Sequence, residues 1–249
     1  MTNDSPLSAS DRLIVALDVD TPEMARQIVR ELDGVASFFK VGYQLFVATG
    51  QGFVRELAEE GKSIFFDLKI NDVAETVKLA VGNLPGRDEI RFLTLQGPAA
   101  TVRAAVDGRG GRREPKFLHV PLLSSIGEDD LREISLIGEG SRLSGVDDYI
   151  VAQAGPALDA GADGFIASGA AIGLLRRSFP GREFCIVSPG IRPAGTAKNE
   201  HKRAATPADA IAAGADYLVV GRPIRDAQDR AQAARSIIEE IAAALARDV

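Results

Sequence analysis

The chain has 249 residues, a formal net charge of −6, and 45% hydrophobic and 26% charged residues. That balance excludes a disordered, collagen-like or coiled-coil protein, and the acidic excess disfavours a nucleic-acid partner. A single cysteine, Cys185, cannot form an internal disulfide, and one Cys with two His (His119 and His201) cannot build a Cys/His zinc cage.

Residues 1–11 are expected to form a poorly ordered arm. The run LIVALDV at 13–19 then reads as a strand, and Thr21-Pro22-Glu23 opens a helix with Thr21 as its N-cap. Met24, Ile28, Val29 and Leu32 follow helical spacing, and Gly34 closes it. FFKVGY at 38–43 precedes a helical stretch over 44–60, SIFFDLK at 63–69 one over 73–83, and EIRFLTLQ at 89–96 one over 98–107. KFLHVPLLSS at 116–125 is followed by a helix at 147–160, and GFIAS at 164–168 by one at 169–178. FCIVSPG at 184–190 leads to 207–213, and YLVVGRP at 217–223 to 225–246. Two returns to strand share the phrase Ala-Gly-Ala-Asp, at 160–163 and 213–216. Segment 106–115 reads as a basic surface loop, 126–146 as an insertion or an irregular excursion, and 191–206 as a long polar connection after the seventh strand.

The strand runs are near-continuously apolar, as in strands buried on both faces. Their eightfold alternation with helices predicts parallel strands with right-handed crossovers, closed as a single-domain (β/α)8 TIM barrel. No Gly-x-Gly-x-x-Gly follows the first strand, which counts against an open dinucleotide-binding sheet. No apolar run approaches a membrane span, and the polar N-terminal residues lack a signal-peptide pattern, so the cytoplasm is the expected compartment.

Active sites of such barrels lie at the C-terminal ends of the strands. Those ends carry Asp18, Lys40, Asp67 with Lys69, Ser124-Ser125, Pro189-Gly190 with Arg192, and Gly221-Arg222. Charges that interrupt apolar runs are costly unless paired or functional. Asp67 and Lys69 are two apart and point to one side of a strand. With Lys40 on the neighbouring strand they predict a plus–minus–plus array in one pocket; a purely structural ion network is the alternative. Gly221-Arg222 stands where barrels commonly hold phosphate. Asp18 suits sugar hydroxyls, because the helix cap is already supplied by Thr21. His119 and Cys185 read as core residues, and His201 lies where a lid would form.

Asp67-Leu68-Lys69-Ile70-Asn71-Asp72, with Thr76 beyond it, resembles the Asp-x-Lys-x-x-Asp signature of the orotidine 5′-monophosphate decarboxylase family. Leu17-Asp18, Phe39-Lys40-Val41-Gly42, Ser188 to Pro193 and Gly214 to Ile224 extend the resemblance over nearly the whole chain. The resemblance implies a homodimer that converts orotidine monophosphate to uridine monophosphate without metal or organic cofactor. It implies Lys69 as proton donor, and Lys40 and Asp67 as the rest of the charge array. Asp72 and Thr76 would reach the partner's site, and Asp18 and Lys40 would touch the ribose. Ser124 and Ser125 would face the pyrimidine, Arg192, Gly221 and Arg222 would lie around the phosphate, and Pro189 would belong to the substrate site. His201 stands where the family has a glutamine, and Val73-Ala74-Glu75 replaces its usual Ile-Pro-Asn. Rival readings are a magnesium-assisted sugar-phosphate decarboxylase or synthase, a Schiff-base aldolase, and a non-catalytic nucleotide-binding homologue.

Overall fold

The structure is a computed structural model, and it describes residues 7–85, 88–193 and 205–247. Its strands are β1 (Leu13–Ala16), β2 (Phe38–Gly42), β3 (Ser63–Ile70), β4 (Ile90–Leu95), β5 (Lys116–His119), β6 (Gly164–Ile166), β7 (Cys185–Ser188) and β8 (Tyr217–Val220). Each pairs in parallel with its sequence neighbour, and β8 returns to β1 through Leu13↔Leu218 and Val15↔Val220, closing the barrel. The helices around it are α1 (Pro22–Glu31), α2 (Tyr43–Thr49), α3 (Gln51–Glu59), α4 (Ala74–Gly82), α5 (Ala99–Arg109), α6 (Glu128–Glu133), α7 (Val146–Asp159), α8 (Ala170–Ser178), α9 (Pro207–Ala212), α10 (Arg222–Arg225) and α11 (Arg230–Leu245).

The expected fold is the observed one, with local differences. Helix 44–60 is two helices, because Gly50 takes φ 59 between α2 and α3 and turns the chain. The last helical stretch opens with the short α10 before α11. The insertion at 126–146 contains α6. Residues 106–109 belong to α5 rather than to a loop. Thr21 caps α1 as expected, its hydroxyl accepting the Met24 N–H at 3.2 Å, and Ala25, Ile28 and Val29 are buried.

Two cores share the strands. A large one, which includes Val15, Phe39, Phe66, Leu93 and Phe117, packs the barrel against its helices. A second fills the barrel interior with Ile14, Ala16, Phe38, Phe65, Phe92, Leu118, Val187 and Val219, joined by Ile166, Cys185 and Tyr217. Every strand contributes to the interior, at alternate positions. Phe92 anchors its floor, 5.4 Å from Phe38 and 4.9 Å from Tyr217 between ring centroids.

The repeated Ala-Gly-Ala-Asp phrase builds the same clamp twice at the N-terminal ends of the strands. Asp163 accepts the Phe117 N–H and Arg109 Nη1, both at 2.8 Å. Asp216 accepts the Ile186 N–H and Arg176 Nη2, both at 2.7 Å. Each arginine also lies 4.7 Å from an aromatic centroid, Phe117 and Phe184 respectively. Among the described residues no helix is long and apolar enough to cross a membrane.

Candidate active site

The interior alternation continues upward. Two positions beyond Ala16, Phe38, Phe65, Phe92, Ile166, Val187 and Val219 stand Asp18, Lys40, Asp67, Thr94, Ser168, Pro189 and Gly221. An apolar floor thus carries a polar layer at the C-terminal mouth. Lys40 Nζ donates to Asp18 Oδ1 at 2.7 Å and lies 3.7 Å from Asp67 Oδ2. Lys69 Nζ donates to Asp67 Oδ1 at 2.8 Å. The result is an alternating row of four charges, Asp18, Lys40, Asp67 and Lys69. Gly42 leaves the space for it: a Cβ there would stand 2.9 Å from Lys40 Nζ.

Burial alone would push the Asp67 carboxyl up. The two lysine cations, with hydrogen bonds from Lys69 and Thr94, outweigh it and hold the group below the usual carboxylate range. Asp67 therefore stays ionised, and its two ammonium neighbours stay fixed.

Strand alternation explains only part of this arrangement. The register against β4 shifts between Phe66 and Ile70, and Lys69 takes φ 48. A left-handed backbone at a non-glycine residue costs about 1–2 kcal/mol. The Lys69 N–H donates to Thr94 Oγ1 at 2.8 Å, and the Thr94 hydroxyl donates to Asp67 Oδ1 at 2.9 Å. Thr94 is fully buried.

Two lobes meet at this row. The polar lobe, of about 550 Å³, is lined by Asp18, Lys40, Asp67, Ser124, Ser125, Arg192 and other mouth residues that include Pro189, Gly221, Arg222 and Arg225. The apolar lobe, of about 160 Å³, is lined by Lys69 with Val120, Leu122, Leu123, Ile166 and Val219 among others. Lys40, Asp67, Ser124, Ser168, Pro189 and Val219 border both. Gly190 turns the chain out of β7 with φ 79. Burial, then the nearby Arg222 cation, lowers the Arg192 guanidinium's hold on its proton. Arg192 and Arg222 thus bring two guanidinium groups to the polar lobe, where such groups can pair with an anion.

The structure thus brings together Asp18, Lys40, Asp67, Lys69, Ser124, Ser125, Pro189, Arg192, Gly221 and Arg222. Asp72 and Thr76 are exposed and line neither lobe; Asp72 Oδ1 accepts the Val73 N–H at 2.6 Å, ahead of α4. His201 lies outside the described residues. His119 is a buried tether, with Nε2 2.9 Å from the Gly97 carbonyl oxygen. Cys185 belongs to the interior floor, and burial, reinforced by Asp216, pushes its thiol up to about 12.

Thr94, Ser168 and Arg225 are the residues that reading run ends missed. Arg225 holds Asp226 with Nε and Nη2, at 2.6 and 3.0 Å, and donates from Nη1 to the Asp18 carbonyl oxygen at 2.8 Å. Position two beyond an interior apolar residue is the signal that finds Thr94 and Ser168. Arg225 has no such mark, since it comes from a helix across the β8–β1 seam.

A family model described as "Orotidine 5′-phosphate decarboxylase / HUMPS family" matches residues 11–237. A Nitrobacter winogradskyi protein named orotidine 5′-phosphate decarboxylase is 44% identical over 247 residues, 99% of either chain. The crystal structure of the Lactobacillus acidophilus protein of that name superposes with a TM-score of 0.78 at 34% identity, covering 92% of this chain and 98% of that one. Its Pyrococcus horikoshii counterpart gives a TM-score of 0.69 at 27% identity, with coverage of 92% and 98%.

Proposed function

The chain belongs to the orotidine 5′-phosphate decarboxylase / HUMPS family, and from that premise we propose that it converts orotidine 5′-monophosphate to uridine 5′-monophosphate, the last step of de novo pyrimidine nucleotide synthesis. The observation that carries this reading is the Asp18–Lys40–Asp67–Lys69 row at the junction of a polar and an apolar lobe.

The phosphate sits among Arg192, Gly190, Gly221 and Arg222, the ribose hydroxyls meet Asp18 and Lys40, and the pyrimidine lies toward Ser124 and Ser125. This places the ring carbon that bears the carboxylate beside Lys69. Breaking the carbon–carboxylate bond releases carbon dioxide and leaves the electron pair on that ring carbon. The Lys69 ammonium stabilises the developing carbanion and then transfers its proton to it. Asp67 holds Lys69 in place and faces the departing carboxylate. No metal or organic cofactor takes part. The phosphate grip is remote from the reacting carbon, so its binding energy can order the site around the substrate and exclude water.

Lys40 favours this branch over a magnesium-assisted sugar-phosphate relative. Its ammonium fills the space between Asp18 and Asp67, where a divalent ion would call for oxygen ligands. A Schiff-base role is disfavoured too, because the Lys69 and Lys40 Nζ atoms are engaged in hydrogen bonds to Asp67 and Asp18 rather than free to attack a carbonyl.

The working unit of this reading is a cytoplasmic homodimer in which Asp72 and Thr76 reach the partner's site. Both are exposed, and the exposed apolar side chains Val73 and Leu79 stand near them in sequence; Tyr43 and Val47 on α2 are exposed too. Exposed apolar side chains of this size suit an interface.

Ultraviolet absorbance of orotidine monophosphate, mixed with EDTA-treated protein, tests the activity. The wild type should remove the substrate band and Lys69→Ala should not, while uridine monophosphate still binds the variant. A stable band with the wild type refutes the decarboxylase; near-normal turnover by Lys69→Ala removes Lys69 as proton donor.

A further inference from the structure

The geometry assigns Thr94 as a positioning residue for the Lys69 ammonium, an inference that rests on the decarboxylase reading above. Its hydroxyl is spent at both ends: the lone pair receives the Lys69 backbone N–H at 2.8 Å and the proton goes to Asp67 Oδ1 at 2.9 Å. The same Asp67 Oδ1 receives the Lys69 Nζ proton at 2.8 Å. Lys69 is therefore held twice by one carboxylate, directly through its ammonium and through Thr94 at its main chain. The four groups form a closed ring that fixes both ends of a long, flexible side chain.

The ring sits where the backbone most needs it. Lys69 lies at φ 48, within the register shift of β3 against β4. A regular β3 would spend the Lys69 N–H on the ladder; here the hydroxyl from β4 takes it. Thr94 itself is one register layer above Phe92, fully buried, and lines neither lobe of the cleft. It acts on the reacting atoms through Asp67 and Lys69 rather than by touching substrate. Loss of the hydroxyl frees the Lys69 main chain and takes one of the hydrogen bonds that steady Asp67. The charges remain, so ground-state binding of the nucleotide is retained while the proton donor wanders from its line of approach.

Thr94→Val keeps the shape and removes the hydroxyl; Thr94→Ser keeps the hydroxyl. Wild type and both variants are compared for kcat and KM with orotidine monophosphate, for uridine monophosphate affinity, and for urea midpoint. The expected result is a fall in kcat of roughly ten- to hundredfold for the valine variant, with product affinity unchanged and activity largely recovered by serine. Wild-type kcat in the folded valine variant overturns the assignment. So does a serine variant as impaired as valine, or a loss of kcat matched by loss of product affinity, since either points to general distortion. Failure of the decarboxylase reading shows separately, as absent turnover in the wild type.

Discussion

Asp67 and His119 are buried ionisable groups handled in opposite ways. Cations on both sides keep the Asp67 carboxyl charged, whereas burial keeps the His119 ring neutral. The Gly97 carbonyl opposes that shift, but burial prevails and the ring is held below its ordinary value of 6.5. The unfolded chain therefore takes up the His119 proton before the folded protein does. This contribution to stability is complete above about pH 6.5 and is lost as pH falls through the lower folded value. Urea denaturation at a series of pH values should show stability declining over that window. His119→Gln, which retains an N–H for Gly97, should flatten the difference; an identical slope in the variant would place the proton uptake elsewhere. At this scale much of the site was legible in the sequence. Asp18, Lys40, Asp67 and Lys69 interrupt apolar runs, and a charge in such a place demands a partner. Thr94 was not, because threonine is an ordinary residue of buried strands and only its step above Phe92 marks it.

Helices and strands are where the pattern of apolar residues succeeds, and close backbone approaches are where it fails. The alternation of eight runs with helical stretches located every strand. It did not reveal the break at Gly50, since the apolar spacing continues across it. Nor did it reveal how α4 and α5 touch. Gly108 lies inside α5, where glycine normally weakens a helix relative to alanine by roughly 0.5–1 kcal/mol. Here a Cβ would stand 2.3 Å from the Lys78 carbonyl oxygen of α4, and backbone cannot step aside cheaply. Gly108→Ala should therefore destabilise the protein, by about 1–3 kcal/mol. Gly52 in α3 has nothing within 4 Å of such a Cβ and no left-handed φ, so Gly52→Ala should be neutral or stabilising by up to about 1 kcal/mol. Urea midpoints at constant m give both values. Equal effects at the two positions would mean that helix propensity, not the α4–α5 approach, governs Gly108.

For the whole molecule, the homodimer reading has a sharp consequence. If Asp72 serves the partner's site, Lys69→Ala and Asp72→Ala proteins that are each inactive should regain activity when dissociated and reassociated together. One of the two sites in the mixed dimer then holds both intact residues. A mixture no more active than its components would confine Asp72 to its own chain or remove it from the chemistry. The barrel's closure carries a different implication, in the time domain. β1 finds its second neighbour only in β8, by Leu13↔Leu218, and the mouth gains Gly221 and Arg222 later still. At cellular elongation rates of about 5–20 residues per second, some 200 residues separate those strands by roughly 10–40 s. Throughout that interval the growing sheet has two open apolar edges, each a template for pairing with another chain. A nucleotide has no finished phosphate cradle to enter and cannot help, so the nascent chain depends on its surroundings to keep those edges apart until the last strand arrives.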